Sequence, residues 1–248
     1  MNKRKFHFSV DDVFDSLIEV SDKNIPLKEH YFFRELYFLW KKYKISTGLH
    51  LFYKKKVNGK IRTLKDVRPL TSELKDKWIY FNIHALSPNK PPFKQRKEDQ
   101  KKTFNKIYKE IFRFAGKKYL TNYIRLHYYS ESYELSNYFK SKKISGLFST
   151  DRNIGSHRMP KSVSKNLLNK NVAKYKNLNF IRTNFRVEWL TNLKKKKIKE
   201  EFSNFFNDKR ILIIYSHEYE FKKKKVRETL RKASSVLTKG LKAKSIKP

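Results

Sequence analysis

The sequence contains no cysteine. Disulfide bonds, thiolate metal ligands and a cysteine nucleophile are therefore all excluded. Glycine and proline are also scarce, with 6 and 7 residues among 248, which is not the composition of a fibrous or disordered chain. Hydrophobic residues make up 38% and aromatic residues 15%, which is enough for a sizeable core in one large α/β domain or two small ones.

Long apolar runs are missing as well. No stretch approaches the roughly 20 apolar residues of a membrane-spanning helix. The basic start, Met1–Lys5, leads directly into Phe6–Val10 without the apolar segment that a signal peptide needs. We therefore expect a cytoplasmic protein without a transmembrane segment.

Acidic residues are few relative to basic ones. The chain has 60 Lys and Arg against 23 Asp and Glu, which gives a formal net charge of +37. Such a field attracts polyanions, so nucleic acid, an anionic glycan or acidic lipid is a candidate partner for the basic surface. Codon usage in an AT-rich genome, which favours Lys, Asn, Ile, Phe and Tyr, would produce the same excess, and the sequence leaves both explanations open.

Short strand-like runs alternate with amphipathic helical segments along the chain. The predicted strands are rich in aromatic or β-branched residues and cover Phe6–Val10, Leu49–Tyr53, Trp78–His84, Tyr123–Tyr129, Gly146–Ser149, Asn179–Val187 and Ile211–Ser216. Between them, helical spacing of apolar residues predicts helices over Pro26–Tyr43, Glu98–Phe114, Tyr133–Lys140 and Ile198–Phe206. This order predicts an α/β fold, namely a distorted (β/α) barrel with about seven parallel strands.

The last segment, residues 222–248, differs in composition. It is dominated by Lys, Arg, Ser, Ala and Leu. Its apolar residues fall three or four positions apart, at Val226, Leu230, Ala233, Leu237 and Leu241. We predict a basic amphipathic helix or tail here, following a barrel domain at residues 1–221.

Residues that can carry chemistry fall at the ends of the predicted strands. Asp11 and Asp12 follow the first strand, and His84, His127 and His217 lie at or near the ends of others. Because the carboxyl ends of barrel strands face one side, closure of the barrel would bring these residues together. Carboxylate and imidazole groups suit Zn²⁺ or a similar divalent ion, although each residue taken alone also has a structural explanation. The remaining histidines lie in packing or loop contexts and are not assigned to the site: His7, His30, His50 and His157.

At these residues the sequence resembles the polysaccharide deacetylase-like (NodB-type) family, in the form of a divergent bacterial subgroup with shortened motifs. The resemblance runs from Phe6 to about Phe221. The family opens with an Asp-Asp motif after its first strand, which Ser9–Val13 matches. Its last motif is an apolar strand that ends in a histidine, which Leu212–His217 resembles.

The resemblance implies a role for each matching residue. Asp11 would be the general base, Asp12 a metal ligand and His84 a histidine ligand from the second motif. His217 would be the general acid. Arg125, with the aromatic Tyr128 after it, resembles the third motif and would orient Asp11, and Asp151 loosely resembles the penultimate acidic motif.

The second motif departs from the family pattern. The family usually has two histidines four positions apart, and here the second position is Pro88, which cannot bind a metal through its side chain. A further ligand must therefore come from elsewhere in the chain. We assign it to His127, with His217 as the other candidate.

The function implied by the resemblance is that of a metal-dependent hydrolase that removes N- or O-acetyl groups from a carbohydrate. The divalent metal would be Zn²⁺, and the partner an acetylated carbohydrate. Four aromatic residues are candidates for stacking on sugar rings, or for simple packing: Tyr128, Tyr129, Trp189 and Tyr219. Two alternatives stay open, a basic nucleic-acid-binding protein of ribosomal type and a noncatalytic deacetylase-like protein that only binds glycan.

Overall fold

The computed structural model of the protein describes residues 4–246. Residues 1–3 of the predicted barrel domain and residues 247–248 of the predicted basic helix or tail lie outside the described residues. The strands are β1 (Lys5–Val13), β2 (Thr47–Phe52), β3 (Lys54–Val57), β4 (Lys60–Thr63), β5 (Ile79–Ala85), β6 (Tyr123–Ile124), β7 (Gly146–Ser149), β8 (Val172–Tyr175), β9 (Leu178–Arg182), β10 (Phe185–Arg186), β11 (Ile211–His217) and β12 (Lys244–Ser245). The α-helices are α1 (Asp15–Asp22), α2 (Tyr31–Tyr43), α3 (Lys97–Phe114), α4 (Ser136–Ser141), α5 (Lys161–Lys170), α6 (Lys195–Asp208) and α7 (Lys224–Ser235). Within residues 4–246, no helix has the length and apolar character needed to cross a membrane.

Ten of these twelve strands form two mainly parallel sheets, and β3 and β4 form a separate antiparallel pair. The larger sheet has the order β10-β11-β1-β2-β5, with β12 also paired to β1, and all of these pairings are parallel. The smaller sheet has the order β6-β7-β9-β8, in which β8 pairs antiparallel to β9. On one side, an isolated bridge pairs Phe81 of β5 with Leu120, in the segment that leads into β6, and on the other side the chain passes directly from β9 into β10. The predicted α/β class with a largely parallel sheet is confirmed.

Strands β2 and β5 are covered on both faces. All six residues of β2 and all seven residues of β5 are buried. Parallel strands with helices on one face and a core on the other are rich in apolar residues for this reason. The helices supply the covering layer through one apolar face each, as in α3, which buries Phe104, Ile107 and Ile111.

The prediction of a strand over Tyr123–Tyr129 is wrong for the second half of this range. Regular pairing ends at Ile124, and residues 127–129 form a tight turn. Tyr128 and Tyr129 have φ values of 50° and 48°, and two successive residues in the left-handed region do not continue a regular strand. The predicted strand Asn179–Val187 is likewise divided into β9 and β10.

The basic segment that begins at residue 222 packs against the rest of the protein. Helix α7 buries Val226 and Leu230 in the core. The Arg231 guanidinium donates two hydrogen bonds to Glu35 of α2, at 2.8 and 2.5 Å. Beyond the helix, β12 pairs in parallel with the amino end of β1. Residues 222–246 therefore form a docked helix and strand.

A buried carboxylate ties the end of β11 to the start of α1. Glu218 accepts hydrogen bonds from the backbone N–H groups of Phe14, Asp15 and Ser16 at 3.0, 3.0 and 2.6 Å. The first amides of a helix have no acceptor within that helix, so an outside acceptor is needed when they are buried. This contact fixes the carboxyl end of β11 beside the carboxyl end of β1.

We expect Glu218→Ala to lower the free energy of unfolding by about 1–3 kcal/mol, because buried N–H groups lose their acceptor. Urea denaturation followed by circular dichroism measures this change. Glu200→Ala, on the exposed face of α6, is the matched control and should have little effect. Equal losses for the two variants would contradict the assigned role of Glu218.

Candidate metal centre

The two adjacent aspartates lie in a β-bulge. The register of β1 against β2 shifts between Val10 and Val13, so that Asp11 and Asp12 interrupt the regular ladder. Asp12 has a φ of 62°, a left-handed conformation that Asp adopts more readily than most residues. A bulge breaks the alternation of side chains along a strand, and both carboxylates consequently line the same cleft.

His84 lies in a second bulge, on β5. Its neighbours Ile83 and Ala85 pair with consecutive residues of β2, which leaves His84 as the extra residue. The His84 Nδ1 atom is 2.6 Å from the carbonyl oxygen of Arg125. Because a carbonyl only accepts, Nδ1 carries a hydrogen, and Nε2 is the ring nitrogen that faces the cleft as a candidate ligand.

His127 reaches the same point from the turn after β6. Its Nε2 atom is 3.1 Å from the carbonyl oxygen of Pro88, so Nε2 carries the hydrogen and Nδ1 presents the lone pair. Pro88, at the position where the family's second histidine was expected, thus orients a histidine from elsewhere in the chain. Burial, together with the nearby His84, lowers the pKa of His127 to about 4, so this ring is neutral near pH 7.

Three lone-pair-bearing atoms therefore face one another. His84 Nε2 lies 3.0 Å from His127 Nδ1, and Asp12 Oδ1 lies 3.1 and 3.4 Å from these two nitrogens. Asp12 Oδ1 is buried and accepts no hydrogen bond from the described residues. Metal bonds of about 2.0–2.1 Å place neighbouring ligand atoms roughly this far apart. The set fits a divalent ion with nitrogen and oxygen ligands.

The turn that carries His127 is held by a buried carboxylate. Glu131 accepts hydrogen bonds from the hydroxyls of Ser149 and Ser156 at 2.5 and 2.6 Å. It also accepts from the backbone N–H of Arg158 at 3.0 Å. Left-handed backbone at non-glycine residues costs about 1–3 kcal/mol and persists only where the surroundings enforce it. Glu131 supplies that constraint next to the turn.

Asp11 lies in a buried network on the other side of Asp12. Its carboxylate accepts from Arg125 Nη1 at 3.1 Å and from His50 Nδ1 at 2.7 Å. Arg125 also donates to Ser9 Oγ at 2.9 Å and to Thr183 Oγ1 at 3.2 Å. Burial opposes ionisation of Asp11, but the charge of Arg125 and the His50 hydrogen bond outweigh it and lower the pKa of Asp11. Asp11 is therefore ionised throughout the neutral range.

The assignment of His50 to packing was wrong, because this side chain contacts Asp11 directly. His50 Nε2 accepts the backbone N–H of Arg125 at 3.3 Å, which places the ring hydrogen on Nδ1, toward the carboxylate. His50 lies on β2, the neighbour of β1. Once the strand order is known, the position of His50 on the strand next to Asp11 would identify it as a candidate site residue.

His217 is not part of the group formed by Asp12, His84 and His127. It pairs in register with Asp11 across β11 and β1, and its Nδ1 atom lies 3.3 Å from Glu188 Oε1. Burial alone would lower the pKa of His217, but the Glu188 hydrogen bond and the charges of Asp11 and Asp12 outweigh it and raise this pKa. Sequence reasoning missed Glu188, which lies in a short turn after β10.

All six residues assigned to the site from the sequence line one cleft of about 920 Å³. These residues are Asp11, Asp12, His84, Arg125, His127 and His217. Tyr128, Tyr129 and Tyr219 line it too, whereas Trp189 packs near the rim against Arg186. Asp151 pairs with Arg186 at 2.5 Å and accepts from the Tyr215 hydroxyl at 2.9 Å, so its contacts lie in the cleft wall.

We expect Arg125→Leu to destabilise the protein by about 3–5 kcal/mol, because it leaves the buried Asp11 carboxylate without its ionic partner. Chemical denaturation measures the loss. Arg34→Leu, on the exposed face of α2, removes the same charge without breaking an ion pair and is the control. A loss below about 1 kcal/mol for Arg125→Leu would contradict the proposed importance of this pair.

No protein-family model and no curated protein matches the sequence. Solved structures match it in fold. The Bc1960 peptidoglycan N-acetylglucosamine deacetylase has a TM-score of 0.54 at 12% identity, with 99% of this chain and 86% of that chain covered. A family 4 acetyl xylan esterase from Clostridium thermocellum, in complex with a cobalt ion, has a TM-score of 0.50 at 10% identity, with 98% and 87% covered.

A longer enzyme matches equally well. The 4-alpha-glucanotransferase from Thermococcus litoralis has a TM-score of 0.54 at 12% identity over 99% of this chain, but this chain spans only 39% of it. Identities this low concern the fold alone. The protein has the α/β fold of the polysaccharide deacetylases, as the resemblance in its motifs implied. Because one fold can serve several reactions, its function has to be argued from the site.

Proposed function

We propose that this protein is a metal-dependent hydrolase that removes an N- or O-acetyl group from a carbohydrate. The observation that carries this proposal is the group formed by Asp12, His84 and His127, whose lone pairs converge beside the ionised Asp11. Two neighbours in fold, a peptidoglycan N-acetylglucosamine deacetylase and an acetyl xylan esterase, support the substrate class. The exposed tyrosines of the cleft offer flat surfaces for sugar rings.

Asp12, His84 and His127 would hold the ion, and Zn²⁺ suits this combination of two imidazoles and one carboxylate. A divalent ion bound there would lower the pKa of a water molecule and polarise an acyl carbonyl, which is the assistance that a weakly basic carboxylate such as Asp11 needs. The histidine hydrogens already point away from this site, toward the carbonyl groups of Arg125 and Pro88. Both rings are thus prepared as ligands before an ion binds.

Asp11 accepts the proton of the attacking water molecule. Its carboxylate is kept ionised and oriented by Arg125 and His50, so its role depends on position more than on basicity. The oxygen of the water forms a bond to the acyl carbon.

His217 donates a proton to the leaving nitrogen or oxygen as the bond from that atom to the acyl carbon breaks. Acetate and the free amine or hydroxyl of the sugar are the products. Glu188 stabilises the protonated ring of His217 through its Nδ1 hydrogen, which leaves Nε2 to act as the donor. The pairing of His217 opposite Asp11 sets the acid and the base on adjacent strands.

A second candidate partner is a polyanion such as RNA. The exposed lysines at residues 194–197 and 222–225 come from distant parts of the chain. Lys225 of the second run donates at 2.7 Å to the side chain of Asn192, which lies two residues before the first run. This patch favours binding to a phosphate backbone, which would weaken steeply with salt. RNA binding by a protein that takes up no metal would support this alternative over the deacetylase.

We expect the purified protein, loaded with Zn²⁺ and dialysed, to retain about one ion per chain. Asp12→Ala and His127→Ala should each lose it, because each removes one of three protein ligands. Elemental analysis by plasma mass spectrometry measures the stoichiometry. His157→Ala, which removes an exposed histidine of the same cleft, should keep the ion, and loss of the ion from that variant as well would contradict the assignment.

We expect Glu188→Gln to move the alkaline limb of the pH profile of kcat/KM to lower pH. A general acid must be protonated, so activity falls as pH rises through the pKa of His217. Glu188 raises that pKa, and its loss lowers it. Acetate release measured between pH 5 and pH 10 by a coupled assay gives the profile, with Glu200→Gln as the control. An unchanged alkaline limb in Glu188→Gln would contradict the role of this carboxylate.

A further inference from the structure

The cleft carries a second chemical feature beside the candidate metal group. Besides Arg125, four Lys and Arg side chains line it, namely Lys94, Arg152, Arg158 and Arg186. Arg186 is paired with Asp151. Among residues 4–246, no carboxylate oxygen lies within ion-pair distance of the side chains of Lys94, Arg152 or Arg158, so this side of the cleft has an excess of positive charge.

Arg158 is the most firmly positioned of these residues. It is partly buried, its guanidinium lies 3.9 Å above the centre of the Phe93 ring, and Nη1 donates to the Tyr129 carbonyl at 3.1 Å. Its Nε and Nη2 groups have no acceptor among the described residues. A partly desolvated guanidinium with free donors gains more from a bound anion than a fully solvated lysine does.

This basic wall is connected to the candidate reaction centre. The Tyr129 hydroxyl lies 2.6 Å from the Tyr215 hydroxyl, and the Tyr215 ring lies 5.3 Å from the His217 ring. Arg158 is anchored on the main chain of Tyr129, and Arg125 lies 4.2 Å from the Tyr215 ring. A ligand with one group between Asp11 and His217 can therefore extend along the tyrosines toward Arg158.

We propose that the acetylated carbohydrate taken by this cleft is an acidic one, whose carboxylate or phosphate group binds to Arg158 and Arg152. The inference rests on the proposed deacetylase function and adds the charge class of its substrate. Carboxylates and phosphates both match the planar fork of a guanidinium, which donates two parallel hydrogen bonds to either. A neutral sugar would leave the donors of Arg158 without an anionic partner.

The net charge of +37 offers a competing explanation for any preference for anions, because it attracts them to the whole surface. A local subsite and the overall charge predict different effects on the preference for anions when single arginines are removed. Removal of Arg158 or Arg152 should weaken a local subsite, whereas removal of Arg34 on α2 changes the net charge equally without touching the cleft.

The test compares N-acetylglucosamine 1-phosphate and N-acetylglucosaminuronic acid with the neutral methyl glycoside of N-acetylglucosamine. Acetate release by the Zn²⁺-loaded protein gives kcat/KM for each. We expect at least one acidic substrate to exceed the neutral one by about tenfold, and the two acidic substrates separate phosphate from carboxylate recognition. R158Q and R152Q should reduce this acidic-to-neutral ratio by about fivefold or more, and R34Q should leave it unchanged.

Isothermal calorimetry with the same three sugars keeps this test separate from that of the deacetylase function. If no sugar loses acetate but the acidic sugars bind more tightly and R158Q abolishes the difference, the catalytic proposal fails and the acidic subsite stands. If neutral and acidic sugars are deacetylated and bound equally, the acidic subsite is overturned and the deacetylase stands. An equal reduction of the ratio by R34Q and R158Q would also overturn it, because the preference would then come from overall charge.

Discussion

The buried ion pair between Arg125 and Asp11 connects the two sheets of this protein. Arg125 follows β6 of the smaller sheet, and Asp11 lies on β1 of the larger one. The guanidinium also bonds Thr183 and lies between the rings of Phe148 on β7 and Tyr215 on β11, at 4.9 and 4.2 Å. Since an isolated buried charge costs several kcal/mol, the two sheets are held in the one arrangement that keeps these charges together.

The main chain of Arg125 extends this constraint to the imidazoles. Its carbonyl oxygen accepts from His84 Nδ1, and its N–H donates to His50 Nε2. One residue thereby selects the tautomer of two histidines, one facing the convergent lone pairs and the other facing Asp11. The polar arrangement at the carboxyl ends of the strands is thus a consequence of how the sheets are joined.

The sequence predicts those parts of the structure that one strand or helix determines by itself. The apolar run at Gly146–Ser149 is β7, and the aspartates and histidines do lie at one end of the strands. The sequence could not predict the bulges at Asp12 and His84. A bulge arises from the pairing of two strands, and it leaves no mark in the alternation of apolar and polar residues within either strand. Glu188 and His50 were missed for the same reason, since only the strand order brings them to their partners.

The two described ends of the chain meet on the side of the fold away from the cleft. The N–H of Lys244 donates to the carbonyl of Arg4 at 2.9 Å, and the N–H of Ile246 donates to that of Phe6 at 2.8 Å. These contacts lie at the amino ends of the parallel strands, whereas the cleft opens at their carboxyl ends. A tether for immobilisation attached beside residue 4 or residue 246 would therefore leave the cleft open. The same proximity makes the fold a good starting point for circular permutation with a short linker between residues 246 and 4.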